Sequence, residues 1–106
     1  MNTEVVGLLC LDSTHKVIGY FTVAMGSVDR ATPSVAQILR TALLSNASYI
    51  VVAHNHPSDD PRPSRSDREL TARLANACKL LGVELADHII IGKSSYFSFK
   101  NHSMLE

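Results

Sequence analysis

A chain of 106 residues, 45% of them apolar, has material for one compact domain with a core that needs no disulfide staples. Ten basic and ten acidic side chains cancel to a formal charge of zero, which argues against strong direct binding to nucleic acid. No apolar run approaches the length of a membrane span and no charged-then-apolar signal opens the chain, so a cytoplasmic protein without membrane contact is expected.

Val5 to Leu11 is an unbroken apolar run of strand length. The turn-rich Asp12-Ser-Thr-His15 follows, and Lys16 to Ser27 reads as a second strand carrying Val17, Ile18, Tyr20, Phe21, Val23 and Met25. So short a polar connection predicts a hairpin. Thr32-Pro33 has the chemistry of a helix start, cap followed by first-turn proline. Val35, Ile38, Leu39, Ala42 and Leu43 then recur at helical spacing, and Asn46 is a plausible stop. Tyr49 to Ala53 is a β-branched strand and is expected to be central.

The proline-rich stretch from Pro57 to Pro63 cannot be regular structure. Ser64 begins a second helix that runs to about Leu81, buries Leu70, Leu74, Ala77, Cys78 and Leu81, and ends at Gly82. Val83 to Leu85 leads into a fourth strand, Asp87 to Gly92, and Tyr96 to Phe99 alternates as a fifth. The last residues are expected to trail off. The order β-β-α-β-α-β-β predicts a single α/β domain over 1–106, with helices packed on a mixed central sheet. Cys10 and Cys78 sit in separate apolar segments and are expected to be buried, reduced thiols. Arg62, Arg65, Arg68 and Arg73 interleave with Asp59, Asp60, Asp67 and Glu69, the pattern of a solvated face.

The chemistry concentrates between His54 and Asp67. His54 and His56 are spaced i, i+2 at the end of a strand, where both point to one side. Asp67 falls in the first turn of the next helix. Two imidazoles and one carboxylate can hold a hydrolytic zinc ion with a position left for water. A rival explanation needs no metal, because Ser64-Arg-Ser-Asp67 is close to a helix capping box. The Ser64 hydroxyl can cap the helix or donate to a developing oxyanion. Asp87 could orient a ligand histidine, or Asp87-His88 could simply open a strand. His15 and His102 are expected to be solvated, and Tyr96, Phe97 and Phe99 to be packing residues.

His54-x-His56 with Ser64 and Asp67 resembles the JAMM (MPN+) signature. Ala53-His-Asn-His-Pro-Ser58, Pro63-Ser64, Asp67-Arg-Glu-Leu-Thr71, Leu80-Leu-Gly82 and Asp87-His-Ile-Ile-Ile-Gly92 resemble the RadC-like JAB domain of bacteria, over about Val5 to Phe99. The resemblance implies a cytidine-deaminase-like α/β/α sandwich. It implies zinc on His54, His56 and Asp67, with Ser64 assisting catalysis, and relatives that hydrolyse amide or isopeptide bonds. RadC chains of the usual length carry an extra N-terminal helical region, so this chain is expected to be a C-terminal domain or a short stand-alone relative.

The JAMM resemblance also implies a glutamate on an early strand as general acid/base, expected just after Gly19. Tyr20, Phe21 and Thr22 stand there, and no carboxylate lies between Asp12 and Asp29. Asp59 or Asp60 could serve instead, the site could bind metal with little or no turnover, or Glu4, placed ahead of the first strand, could reach it. The second account ranks first. The leading function is a zinc-dependent peptide or isopeptide hydrolase. The alternative is a catalytically weak or inactive metal-binding module that acts in DNA metabolism through a protein partner. The partner and any homo-oligomer stay open. A nucleobase deaminase would need His-x-Glu and Pro-Cys-x-x-Cys, and the chain has neither.

Overall fold

A computed structural model describes residues 3–27, 34–57 and 59–105. Strands β1 (Thr3–Leu11) and β2 (Val17–Ser27) form the expected antiparallel hairpin. Asp12 builds its turn by accepting from the Thr14 N–H at 2.8 Å and the Lys16 N–H at 3.0 Å, while His15 takes a left-handed φ of 67°. β1 starts two residues ahead of the apolar run, so Glu4 is a strand residue and does not precede the sheet.

Helix α1 (Val35–Leu44) is capped by Ser34, whose hydroxyl accepts from the Gln37 N–H at 3.0 Å. The expected start at Thr32-Pro33 lies outside the described residues, and the capping role belongs to Ser34. Asn46 follows the helix with φ 59°, the left-handed turn-out that asparagine tolerates. Strand β3 (Tyr49–Asn55), helix α2 (Arg65–Leu81), strand β4 (Glu84–Ile91) and strand β5 (Tyr96–Ser98) complete the chain. Gly82 closes α2 at φ 72°. β4 begins earlier than Asp87 because a bulge at Ala86 lets the Val83–Leu85 segment join it.

The five strands lie in the order β2-β1-β3-β4-β5. β1 is antiparallel to both of its neighbours, and β3 and β4 are parallel, so β2, β3 and β4 all run one way. The crossovers from β2 to β3 and from β3 to β4 advance in the same direction across the sheet. Connections of one hand then put α1 and α2 on the same face.

The burial pattern agrees. Val6, Leu8 and Cys10 of β1 and Ile50 and Val52 of β3 form one core with Ile38 and Ala42 of α1 and Leu74 and Cys78 of α2. The alternating residues Leu9, Leu11, Val51 and Ala53 are only partly buried. Strands that read as continuously apolar therefore have one fully covered face. Among the described residues, helices cover only that face, so the expected α/β/α sandwich shows two of its layers. Both cysteines are buried and unpaired, as expected.

The tail does not trail off. Leu105 packs against the core, the Met104 N–H bonds to the Phe99 carbonyl at 2.9 Å, and His102 stacks on Phe97 with centroids 4.0 Å apart. His15 likewise stacks on Tyr49 at 4.3 Å. Phe99, just past β5, is fully buried. No helix among the described residues is long and apolar enough to cross a membrane.

Candidate functional site

The core turns polar at the carboxyl end of β3. His54 lies on the helix-covered face because it alternates with Ile50 and Val52, and it is 4% exposed. His56 follows the last strand residue, and its N–H still bonds to the Ile91 carbonyl at 2.9 Å, which keeps the chain extended. The two imidazoles accordingly converge, with ring centroids 4.9 Å apart.

Asp67 comes to them from the first turn of α2. Its Oδ1 lies 3.3 Å from His54 Nε2 and its Oδ2 lies 3.2 Å from His56 Nε2. The same Oδ2 accepts from the Ser64 N–H at 2.8 Å, while the Ser64 hydroxyl accepts from the Asp67 N–H at 3.1 Å. The capping box and the three-residue cluster are thus both present, and they share one carboxylate. Burial pushes the Asp67 carboxyl up, but His54 and the Ser64 N–H outweigh it and hold the group below the usual carboxylate range.

His54, His56 and Asp67 each offer one ligand atom, all within 4.8 Å of one another, which suits a single cation. His54 Nε2 provides the test of fit: it is buried, faces Asp67 Oδ1 and has no hydrogen-bond partner among the described residues. A buried ring nitrogen facing a carboxylate without an aligned bond is costly unless a cation sits between them. The donor set of two imidazoles and a carboxylate matches a divalent transition metal with open positions.

Behind the cluster the two histidines are held differently. His56 Nδ1 meets the Asp60 backbone carbonyl at 3.0 Å. His54 Nδ1 meets His88 Nε2 at 2.9 Å, and His88 Nδ1 meets the Thr71 hydroxyl at 2.6 Å. Burial first, then the neighbouring His54, pushes His88 down to about 3, so its ring is neutral in the folded state at ordinary pH. Phe99 stacks flat on its other side, 4.6 Å between centroids and 4° between planes. The residue behind His54 is therefore His88, not Asp87. Asp87 instead accepts from the Ser98 hydroxyl at 2.6 Å and the Lys100 N–H at 3.0 Å, tying down the β5 end.

Glu4 joins the site from β1. Val6 pairs with His54 across the sheet, and Glu4 alternates with Val6, so its side chain emerges on the same face, one step nearer His56. Its carboxyl feels all three cluster residues: burial and Asp67 raise it, His54 and His56 oppose them, and the net shift is upward. The Val5 N–H bonds to Asn55 Oδ1 at 2.6 Å and pins the start of β1 beside the end of β3.

The other carboxylates proposed from sequence are engaged elsewhere. Asp60 is held at about 2 by hydrogen bonds from Arg62. Asp59 is exposed and lies 3.4 Å from the Ser94 hydroxyl. Tyr20, where an acid was expected, lies over Gly7, so that a Cβ at Gly7 would collide with its phenol. Gly7 is one residue out of phase with Val6, which puts that phenol on the sheet face away from His54. Sequence reading kept Glu4 only as the last of three candidates, because it started the strand late and placed Glu4 ahead of the sheet. It had no signal for Thr71, whose role depends on how α2 packs on β4.

A family model described as the RadC-like JAB domain matches residues 1–104. The chain belongs to that family. Over 105 residues, 99% of its length, it is 44% identical to a UPF0758 protein of Thermotoga maritima. It is 43% identical over 97 residues to one from Actinobacillus pleuropneumoniae serotype 5b, and 41% over 92 residues to one from Vibrio cholerae, which cover 92% and 87% of this chain. The matches take in 47%, 44% and 58% of those proteins, so this RadC-like JAB domain spans about half the length of the curated relatives it matches.

Proposed function

We propose that this RadC-like JAB domain holds a zinc ion through His54, His56 and Asp67 and hydrolyses peptide or isopeptide bonds. The observation that carries the reading is the placement of Glu4 on the same face as the three-residue cluster, within electrostatic reach of each member. Zinc bound there would polarise a scissile carbonyl and lower the pKa of water.

The chain's own groups supply the rest. His54 and His56 present ring nitrogens, and Asp67 contributes its negative charge. Glu4 takes a proton from the attacking water and passes it to the leaving amine; its raised pKa brings it closer to the range a general acid/base needs. Ser64 accepts from the Asp67 N–H, so its own hydroxyl proton can be donated to the oxyanion that forms on the substrate. A carboxylate at this position removes the ground for preferring a non-catalytic module. The parallel β3-α2-β4 unit beside an antiparallel hairpin supports membership of the cytidine-deaminase-like class of α/β folds.

The test pairs metal analysis with turnover. Protein purified without chelator should carry or take up about one zinc per chain, and Asp67→Ala should carry much less. On a panel of peptide and isopeptide substrates, Glu4→Gln should keep the metal and lose roughly a hundred- to ten-thousand-fold in kcat. Metal uptake with no metal-dependent turnover across the panel would overturn the hydrolase reading.

A further inference from the structure

The ligand histidines differ in what fixes their protons. A backbone carbonyl can only accept, so the Asp60 carbonyl, 3.0 Å away, puts the His56 proton on Nδ1 and leaves Nε2 a lone pair. The group behind His54 is another imidazole, which can donate or accept. Geometry next to it settles the direction. Thr71, 3% exposed on α2, donates its one hydroxyl proton to the Asp67 backbone carbonyl at 2.8 Å, the bond a helical threonine makes four residues back. Its oxygen can then only accept from His88 Nδ1 at 2.6 Å. His88 is 1% exposed and meets a hydroxyl and an imidazole, so its buried ring carries one proton. With that proton on Nδ1, Nε2 accepts from His54 Nδ1–H at 2.9 Å. Reversed, the chain would put a proton on His54 Nε2, the buried atom for which no described residue offers an aligned acceptor.

We propose that His88, held by Thr71, is a positioning residue that fixes His54 in the Nδ1–H tautomer and aims the Nε2 lone pair at the metal. The relay runs from the side chain of one ligand to the backbone carbonyl of another, so both ends are anchored in the cluster it serves. The inference rests on reading His54, His56 and Asp67 as a metal site, and its test separates the two.

The first measurement is nitrogen-15 NMR of the histidine rings in metal-free wild-type protein at mildly alkaline pH. A pyrrole-like His54 Nδ1 and a pyridine-like Nε2 are expected. The opposite pattern, or an even mixture, overturns the inference whether or not metal binds. The second is zinc affinity by chelator competition. Thr71→Val and His88→Phe, which break the relay, should bind zinc roughly ten- to a hundred-fold more weakly. Thr71→Ser restores the hydroxyl and His88→Gln restores one acceptor and one donor, so both should stay near wild type. If His88→Phe fails to fold, the Thr71 pair and the wild-type spectrum still decide. Equal affinity across all four variants overturns the inference. A wild type that binds no zinc overturns the metal reading, while the spectrum still reports the tautomer.

Discussion

The two histidines of the cluster are two residues apart and sit in opposite kinds of surroundings. His54 is buried, with its supporting group two elements away in β4 and that group's own support in α2. His56 is at the rim, supported by a carbonyl four residues along its own loop. One half of the site is assembled by tertiary packing and the other by local chain geometry. A motif that looks like a single unit in sequence is therefore built by two mechanisms. The buried half should be the one that couples metal binding to folding.

Replacing each histidine is the largest way to sharpen that contrast. Either His54→Ala or His56→Ala should abolish stoichiometric zinc. In metal-free protein, His54→Ala also opens a cavity and strands His88 Nε2, so thermal or urea unfolding should show a loss of about 2–4 kcal/mol. His56→Ala, at the rim, should cost about 1 kcal/mol or less. Equal losses would break the comparison.

Acid comes next. The folded-state pKa of His88 is depressed from an ordinary 6.5 to about 3, so the unfolded chain binds the extra proton first. Its contribution is full above about 6.5 and is lost as pH falls toward about 3. Metal-free protein should lose a few kcal/mol of stability across that window by urea titration. His88→Gln should flatten the profile.

A smaller effect tests the loop side. Ser64→Ala removes a capping acceptor and should cost about 1 kcal/mol, with zinc affinity largely kept because the Ser64 N–H still orients Asp67. The smallest is chemical. Burial pushes the Cys78 thiol up to about 11, so an alkylating reagent near neutral pH should label it only on unfolding.

The parts legible in sequence were those set by short-range pattern. Strand alternation put His54 and His56 on one side, and Ser-x-x-Asp announced the start of α2. Both rival readings of Asp67 proved compatible, because a carboxylate has two oxygens and Ser64 holds only one of them. The reading failed where register decides. Glu4 is a polar residue before an apolar run, and only the pairing of Val6 with His54 shows that it faces the site. The acid expected after Gly19 is absent from the sequence itself, and the Tyr20 that stands there covers Gly7 on the other face. Asp87 and His88 are neighbours in sequence, and strand alternation gives them different tasks: one ties the β5 end, the other stands behind His54.

The shared oxygen of Asp67 makes the first turn of α2 a gauge of the site. Oδ2 holds the Ser64 N–H and also faces His56, so a cation drawing on that carboxylate competes with, or tightens, the helix start. Amide hydrogen exchange at Ser64 and Asp67 should change with metal loading while the far end of α2, at Gly82, stays constant. Occupancy could then be followed from the backbone alone, with no substrate in hand.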